Sequence, residues 1–218
     1  AGVSGDKQTL NGVHGFNEYL LQEATRRGHI EVRNGSFIPI GELASELFIN
    51  TDPYIRGVSG NPEGVAKLLK DAGIDPTKHD SDLTEEERRK LSSLIGAKLV
   101  AQGVCRLTIS EIARKRYYLP DWKMDSEMLA SLIDGCGRMK AYGLGVAAAL
   151  GDPESLKEAR KMEYDAKEGI LNGTLMADDS GVHEMEHIQW FDSSYSGFTG
   201  MVCSVVMNYI GNPDKPTI

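Results

Sequence analysis

The chain has 218 residues, 40% hydrophobic and 26% charged, with a formal net charge of -8 and a pI near 5.2. That length supports one large domain or parts of two, and the apolar share supports a sizeable core. The acidic balance excludes a generally basic nucleic-acid-binding surface, though not one local basic groove, and no apolar run has the length of a membrane span or the layout of a signal peptide.

Phe16 to Gly28 reads as an amphipathic helix, with Phe16, Tyr19, Leu20 and Ala24 on one side and Gly28 as its stop. Ile30–Arg33 and Phe37–Ile40 flank Asn34-Gly35, a hairpin signal, and Pro39 places the second strand at an edge. Helices follow over Glu42–Phe48 and Glu63–Ala72, with Pro62 near the first helical position of the latter. Thr84 and Glu87 form a capping box for a helix whose core stripe is Leu91, Leu94, Ile95 and Leu99, ended by Gly103. Ser110–Tyr117 and Asp125–Ile133 read as helical, the latter followed by the glycine-punctuated GCGRMKAYGLG. Asp152-Pro153-Glu154 starts a strong helix with Leu156, Ala159, Met162, Ala166 and Ile170 on one face and Gly173 beyond its end. Asp178–Gly181 then reads as a linker, before a strand, a Gly/Ser loop and a helix over Thr199–Ile210. The fold class is α+β and mostly helical.

Cys105, Cys136 and Cys203 lie far apart, without metal spacing. An odd, scattered set fits a reducing, cytoplasmic setting. The chain opens on AGVSGDKQ and closes on DKPTI, where a turn at Asn212-Pro213-Asp214 leads into the start of a strand. Both ends read as cuts through a longer protein.

His183-Glu184-Met185-Glu186-His187 is a literal H-E-x-x-H. On a helix it would put two imidazoles on one face for zinc, with Glu184 as general base. Ser180-Gly181 upstream and the strand formers Ile188–Phe191 downstream leave no room for that helix. No His or Glu follows His187 as a third ligand, which leaves only Asp192 and Asp214. As a strand, the segment would hold the two histidines about 13 Å apart. Exposed histidines leading into a strand are the expectation.

Gly143-Leu144-Gly145-Val146-Ala147-Ala148 matches G-x-G-x-x-A but lacks the preceding strand of a dinucleotide site, so close helix packing is expected. Cys136 reads as a small buried thiol. Asp6, in Ser4-Gly5-Asp6-Lys7-Gln8, is a turn residue or a carboxylate aimed at a metal. Arg138 follows Gly135-Cys136-Gly137 and suits either a phosphate or a structural salt bridge. Tyr195-Ser196-Gly197-Phe198-Thr199-Gly200 joins the last strand to the last helix, as an anion-binding loop or a plain cap.

Three of these segments occur together in a known order. SGDKQ, LIDGCGRMKAYGLGVAAALGD and FDSSYSGFTGMVCSVVMNYIGNPDKPTI resemble, respectively, the fourth motif, the Gly-Arg segment with its following helix, and the start of the DHH-associated domain of archaeal RecJ-like proteins. These belong to the DHH phosphoesterase superfamily. The third segment matches at Gly197, Gly200, Ser204, Lys215 and Pro216, and the second at Gly137 and Arg138. NTDPYIRGVSGNPEGV and the helices up to Gly103 resemble the insertion of the archaeal branch. Asp134 stands where the bacterial proteins have Asn, and Tyr195 where they have His.

The resemblance implies the end of a DHH catalytic domain over 1–40 and a helical insertion over 41–124. It implies a return with connecting helix over 125–177 and the start of a substrate-binding DHH-associated domain over 178–218. Asp6 would bind manganese or magnesium. Arg138 would steady a phosphate oxygen, and Tyr195, Ser196, Gly197, Thr199 and Gly200 would line the contact to a neighbouring phosphate. No Asp-His-His occurs in the chain. The family's D-x-D and Asp-His-His ligands are expected upstream of residue 1 and its glycine-rich His motif downstream of Ile218. The implied function is hydrolysis of single-stranded DNA or RNA, with this chain an inactive internal piece. The alternatives are a non-catalytic replisome scaffold that meets the GINS complex and the MCM helicase through Glu42–Gly103, or a phosphoesterase of short oligonucleotides or cyclic dinucleotides.

Overall fold

The computed structural model describes residues 2–6, 8, 12–193 and 197–218. In chain order the helices are α1 (Gly2–Gly5), α2 (Phe16–Arg26), α3 (Leu43–Ile49), α4 (Pro62–Ala72), α5 (Glu85–Ala101), α6 (Arg106–Ile112), α7 (Ser126–Arg138), α8 (Tyr142–Ala149), α9 (Pro153–Ser180) and α10 (Thr199–Val205). The strands are β1 (Glu31–Arg33), β2 (Arg116–Leu119), β3 (Met124–Asp125), β4 (His183–Glu184) and β5 (Gln189–Trp190). The protein is thus mostly helical with small antiparallel sheets, an α+β arrangement. No described helix is long and apolar enough to cross a membrane. The chain forms two compact units, residues 1–35 with 113–166 and residues 36–112 with 167–218.

The first unit carries the sheet β1-β2-β3, antiparallel throughout, with Val32 opposite Tyr117 and Tyr118 opposite Asp125. The hairpin expected around Asn34-Gly35 does not form. β1 instead pairs with β2, where the Arg33 guanidinium lies 3.4 Å over the Tyr118 ring. That non-local pair outweighs the turn signal, and Ile38, on the expected return strand, is buried in the core of the other unit. The same pairing corrects the helix expected over Ser110–Tyr117: α6 stops at Ile112 and Arg116–Leu119 is extended. Aromatic residues favour that pleated setting.

Asp125 caps α7, its carboxylate accepting the N–H groups of Glu127 and Met128. The helix runs on through Gly135 and Gly137 to Arg138, further than expected. Its core comprises Leu132, Cys136, Ala148 and Ala159, with Leu144, Leu156 and Met162 packed against them. Two glycines set this packing. A Cβ on Gly145 would lie 3.2 Å from the Cys136 Cβ, and one on Gly135 would lie 2.9 Å from the Glu163 Cα. The G-x-G-x-x-A run is therefore a helix-packing surface. α2 forms as expected, but none of its residues is buried; Phe16 and Tyr19 are 72% and 60% exposed.

The second unit is built on Leu43, Leu47, Ile55, Leu68, Leu69, Leu91, Ile95 and Leu99, each at most 2% exposed. Removing each from water contributes about 1.5–3 kcal/mol. The Thr84–Glu87 capping box is present, and Lys78 holds the Glu87 carboxyl well below the usual range, at about 2, with the Thr84 N–H adding to the effect. Pro62 opens α4 and Gly73, at φ 76°, closes it.

α9 does not end near Gly173. It continues to Ser180, so Asp178 and Asp179 are helical and not a linker. Burial of Leu171, Thr174 and Ala177 stabilises the extra turns, and Gly169 lets the Phe198 ring approach closely. β4 and β5 pair antiparallel beyond it, and Thr217 bridges to Gln189 in parallel.

Candidate functional site

The expected site residues fall in both units. Asp6 follows the short α1, which lies against the start of α7: the Ser4 and Ser126 hydroxyls are 2.7 Å apart, and Gly5 faces Ala130. Asp6 is exposed, and the Gln8 amide donates to its Oδ2 at 3.5 Å. Arg138 ends α7, about 12 Å along the helix from Ala130. Its Nε donates to Asp134 Oδ2 at 2.6 Å, an i,i+4 pair on a half-exposed face. The salt-bridge role open to Arg138 is thus realised. A phosphate could engage the guanidinium only by sharing it with, or displacing, Asp134.

Among the described residues, no three His, Cys, Asp or Glu side chains come together as a metal site. One exposed carboxylate does not fit the manganese pair that the family resemblance implies. The chain does hold a literal D-x-D, Asp80-Ser81-Asp82, which the sequence reading passed over. Its carboxylates serve local structure: Asp80 Oδ1 accepts the Gly41 N–H at 2.8 Å, and Asp82 Oδ2 accepts the His79 N–H at 3.1 Å.

The H-E-x-x-H segment is a hairpin, not a helix. His183 stacks on Trp190 at 4.3 Å between ring centroids, directly across β4–β5. His187 is 85% exposed and lies 3.6 Å from the Glu186 carboxylate.

Tyr195 and Ser196 lie outside the described residues. Gly197, Thr199 and Gly200 are exposed at the entry to α10, and a Cβ on either glycine would meet open space. Phe198 caps α10 through its carbonyl, which accepts the Met201 N–H at 2.8 Å. The end of the chain is fixed by Gln189, which is fully buried. Its Nε2 donates to the Asn212 and Lys215 carbonyls at 2.8 and 3.0 Å and to the Thr217 hydroxyl at 2.9 Å. Its Oε1 accepts the Asn212 N–H at 2.8 Å. Strand β5, helix α10 and the closing segment, whose Thr217 bridges to Gln189, are therefore tied together.

The second unit also holds a polar constellation that the sequence reading missed. Tyr54, 1% exposed, donates its hydroxyl to Asp178 Oδ2 at 2.8 Å, and Arg56 Nε contacts both Asp178 oxygens at 3.0 Å. Burial pushes the Asp178 carboxyl up, but the bonds from Arg56 and Tyr54 outweigh it and hold the group below the usual carboxylate range. Burial, then the hydrogen bond to Asp178, raises the Tyr54 hydroxyl well above its ordinary value. The groups line an open cleft of about 480 Å³ with Gly57, Gly60, Asn61 and Leu175. The clue in the sequence was the i, i+2 pair Tyr54 and Arg56 between turn residues. Reading Asp178 as a linker residue hid their partner.

No family model matches the chain. It is similar to the uncharacterized protein MJ0831 of Methanocaldococcus jannaschii, 26% identical over 220 residues, a match covering 100% of this chain and 46% of that protein. The chain thus spans about half the length of the relative it matches.

Proposed function

We propose that the chain is the strand-binding part of a RecJ-like phosphodiesterase of the DHH superfamily, acting on single-stranded DNA or RNA in the cytoplasm. The observation that carries the reading is the C-terminal motif. Strand β5, the Gly197–Gly200 stretch, helix α10 and a Lys-Pro segment bridged to β5 follow in the order that the resemblance to a DHH-associated domain implies, and both glycines face open space. Arg138 at the end of α7 supplies a cation with fork geometry for a phosphate oxygen. Contacts of this kind track the backbone and carry little base information. Manganese chemistry would need ligands beyond Asp6, so hydrolysis is assigned to a longer protein and strand binding to this chain.

The test is fluorescence anisotropy of a labelled oligothymidylate with the 218-residue chain, alongside a Mn²⁺ hydrolysis assay. Salt-sensitive binding, weakened by Arg138→Ala, with no hydrolysis, is the expected result. Absence of binding at low salt would refute the reading. Mn²⁺-dependent cleavage abolished by Asp6→Asn would refute its division of labour.

A second reading, a replisome scaffold that meets GINS and MCM, is favoured by Val100 and Leu107. They are 66% and 73% exposed on α5 and α6. Co-purification with either complex, lost on Val100→Asp or Leu107→Asp, would support it. No association with either would exclude it.

A further inference from the structure

The exposed side of α9 within the first unit carries Lys157, Arg160, Lys161 and Tyr164, spaced i, i+3, i+4, i+7 and therefore neighbours on one helix face. No described carboxylate forms an ion pair with Lys157, Arg160 or Lys161, although the chain as a whole is acidic. Tyr164 is 46% exposed among them. Arg160, Lys161, Tyr164 and Asp165 line an open cleft of about 380 Å³. The acids Glu154, Glu158 and Asp165 sit together on one flank, about 60–100° around the helix from Lys157. Glu163, three residues after Arg160, stands on the opposite flank, so the cations form a strip between acids.

α7, which ends on Arg138, crosses α9 at this stretch. The α7 backbone meets α9 where Gly135 faces the Glu163 Cα, so close that a Cβ would approach to 2.9 Å. Arg138 is three residues beyond that crossing on α7, and Arg160 three residues before it on α9, each about 4.5 Å along its helix. Tyr164 is the residue after Glu163. Glycine at 135 is what lets the two helix backbones come so near.

We propose that Lys157, Arg160, Lys161 and Tyr164 form a backbone-tracking edge for single-stranded nucleic acid along α9. The cations would take successive phosphates, and Tyr164 would offer its ring to a base, as in sequence-tolerant single-strand binding. The acids on either flank would confine the strand to this strip. The inference rests on the strand-binding reading above and names residues which that reading does not use.

The experiment is oligothymidylate anisotropy across a salt series, comparing the unaltered chain, Arg138→Ala, the triple variant Lys157→Ala/Arg160→Ala/Lys161→Ala, and Tyr164→Ala. Far-UV circular dichroism checks that each variant stays helical. Each phosphate contact on a single strand contributes about 0.7 to the slope of log K against log salt. The triple variant should therefore lower the slope by about 2 and weaken binding about 100-fold at about 0.1 M salt. Tyr164→Ala should weaken binding with the slope unchanged. If the unaltered chain binds no oligonucleotide, the function reading itself fails. If it binds and Arg138→Ala weakens it while the triple variant keeps its slope, only the α9 edge is overturned. Equal competition by poly-glutamate of matched charge would also overturn it, because the edge would then be a general acid-binding surface.

Discussion

Gly64→Ala tests the packing beneath the polar cleft. Gly64 sits in the first turn of α4, and a Cβ there would lie 1.7 Å from the Gly57 carbonyl oxygen and 2.8 Å from its carbon. Both are backbone atoms, so no side chain can swing aside. The oxygen would have to retreat from 1.7 to at least 3.0 Å. Residues 55–61 resist that movement. Val58 and Ser59 N–H groups bond to the Ile55 carbonyl, Gly60 N–H to Phe48, and Ile55 N–H to the buried Ser59 hydroxyl. Overpacking costs about 1–3 kcal/mol, and losing one or two of these hydrogen bonds adds about 1 kcal/mol each. The expected loss is about 2–5 kcal/mol, offset by less than about 1 kcal/mol from alanine's better helix propensity. At about 2–4 °C per kcal/mol for a chain of this size, Tm should fall by roughly 2–20 °C. Gly96→Ala in α5 is the matched control. Nothing lies within 4 Å of its Cβ position, so only propensity acts and Tm should rise by about 1–4 °C. Calorimetry on both variants reads the contrast. A Gly64→Ala protein as stable as the unaltered chain would refute the reasoning.

Two further predictions concern buried polar groups in the second unit. Because the folded Asp178 carboxyl lies below its ordinary value, its contribution is full above the unfolded pKa and is lost as pH falls through the folded one. Denaturant titrations from neutral to acid pH should therefore show a stability loss that Asp178→Asn flattens, and an identical acid profile in the variant would count against the Arg56–Asp178–Tyr54 link. Gln189→Ala should leave the Asn212 and Lys215 carbonyls and the Asn212 N–H without their partner and lower stability by about 2–4 kcal/mol. Hydrogen exchange should then show early opening at 211–218, and unchanged protection there would mean that Gln189 does not hold the end of the chain.

The contrast between what was legible and what was not follows sequence distance. The capping box Thr84–Glu87, Pro62 opening α4, Gly73 and Gly103 at positive φ, and the Leu91–Ile95–Leu99 stripe all depend on residues within a turn or two of each other. Local chemistry fixes such features, so the amino-acid order by itself determined them. It also argued correctly against a zincin helix at His183–His187, because Ser180-Gly181 and a run of strand formers bound that segment.

The misread elements are those decided by partners far along the chain. β1 chose β2, more than 80 residues away, over the adjacent hairpin partner, because Arg33 and Tyr118 meet there. α9 ran past Gly173 because its next turns were buried, so Asp178 met Tyr54 and Arg56 from a helix and not from a linker. The glycines of α7 and α8 gained their meaning only when Gly135 met Glu163 and Gly145 met Cys136. A residue's local preference is worth tenths of a kcal/mol to about one, whereas a buried contact or close helix crossing contributes several times that, so tertiary packing decided wherever the two disagreed.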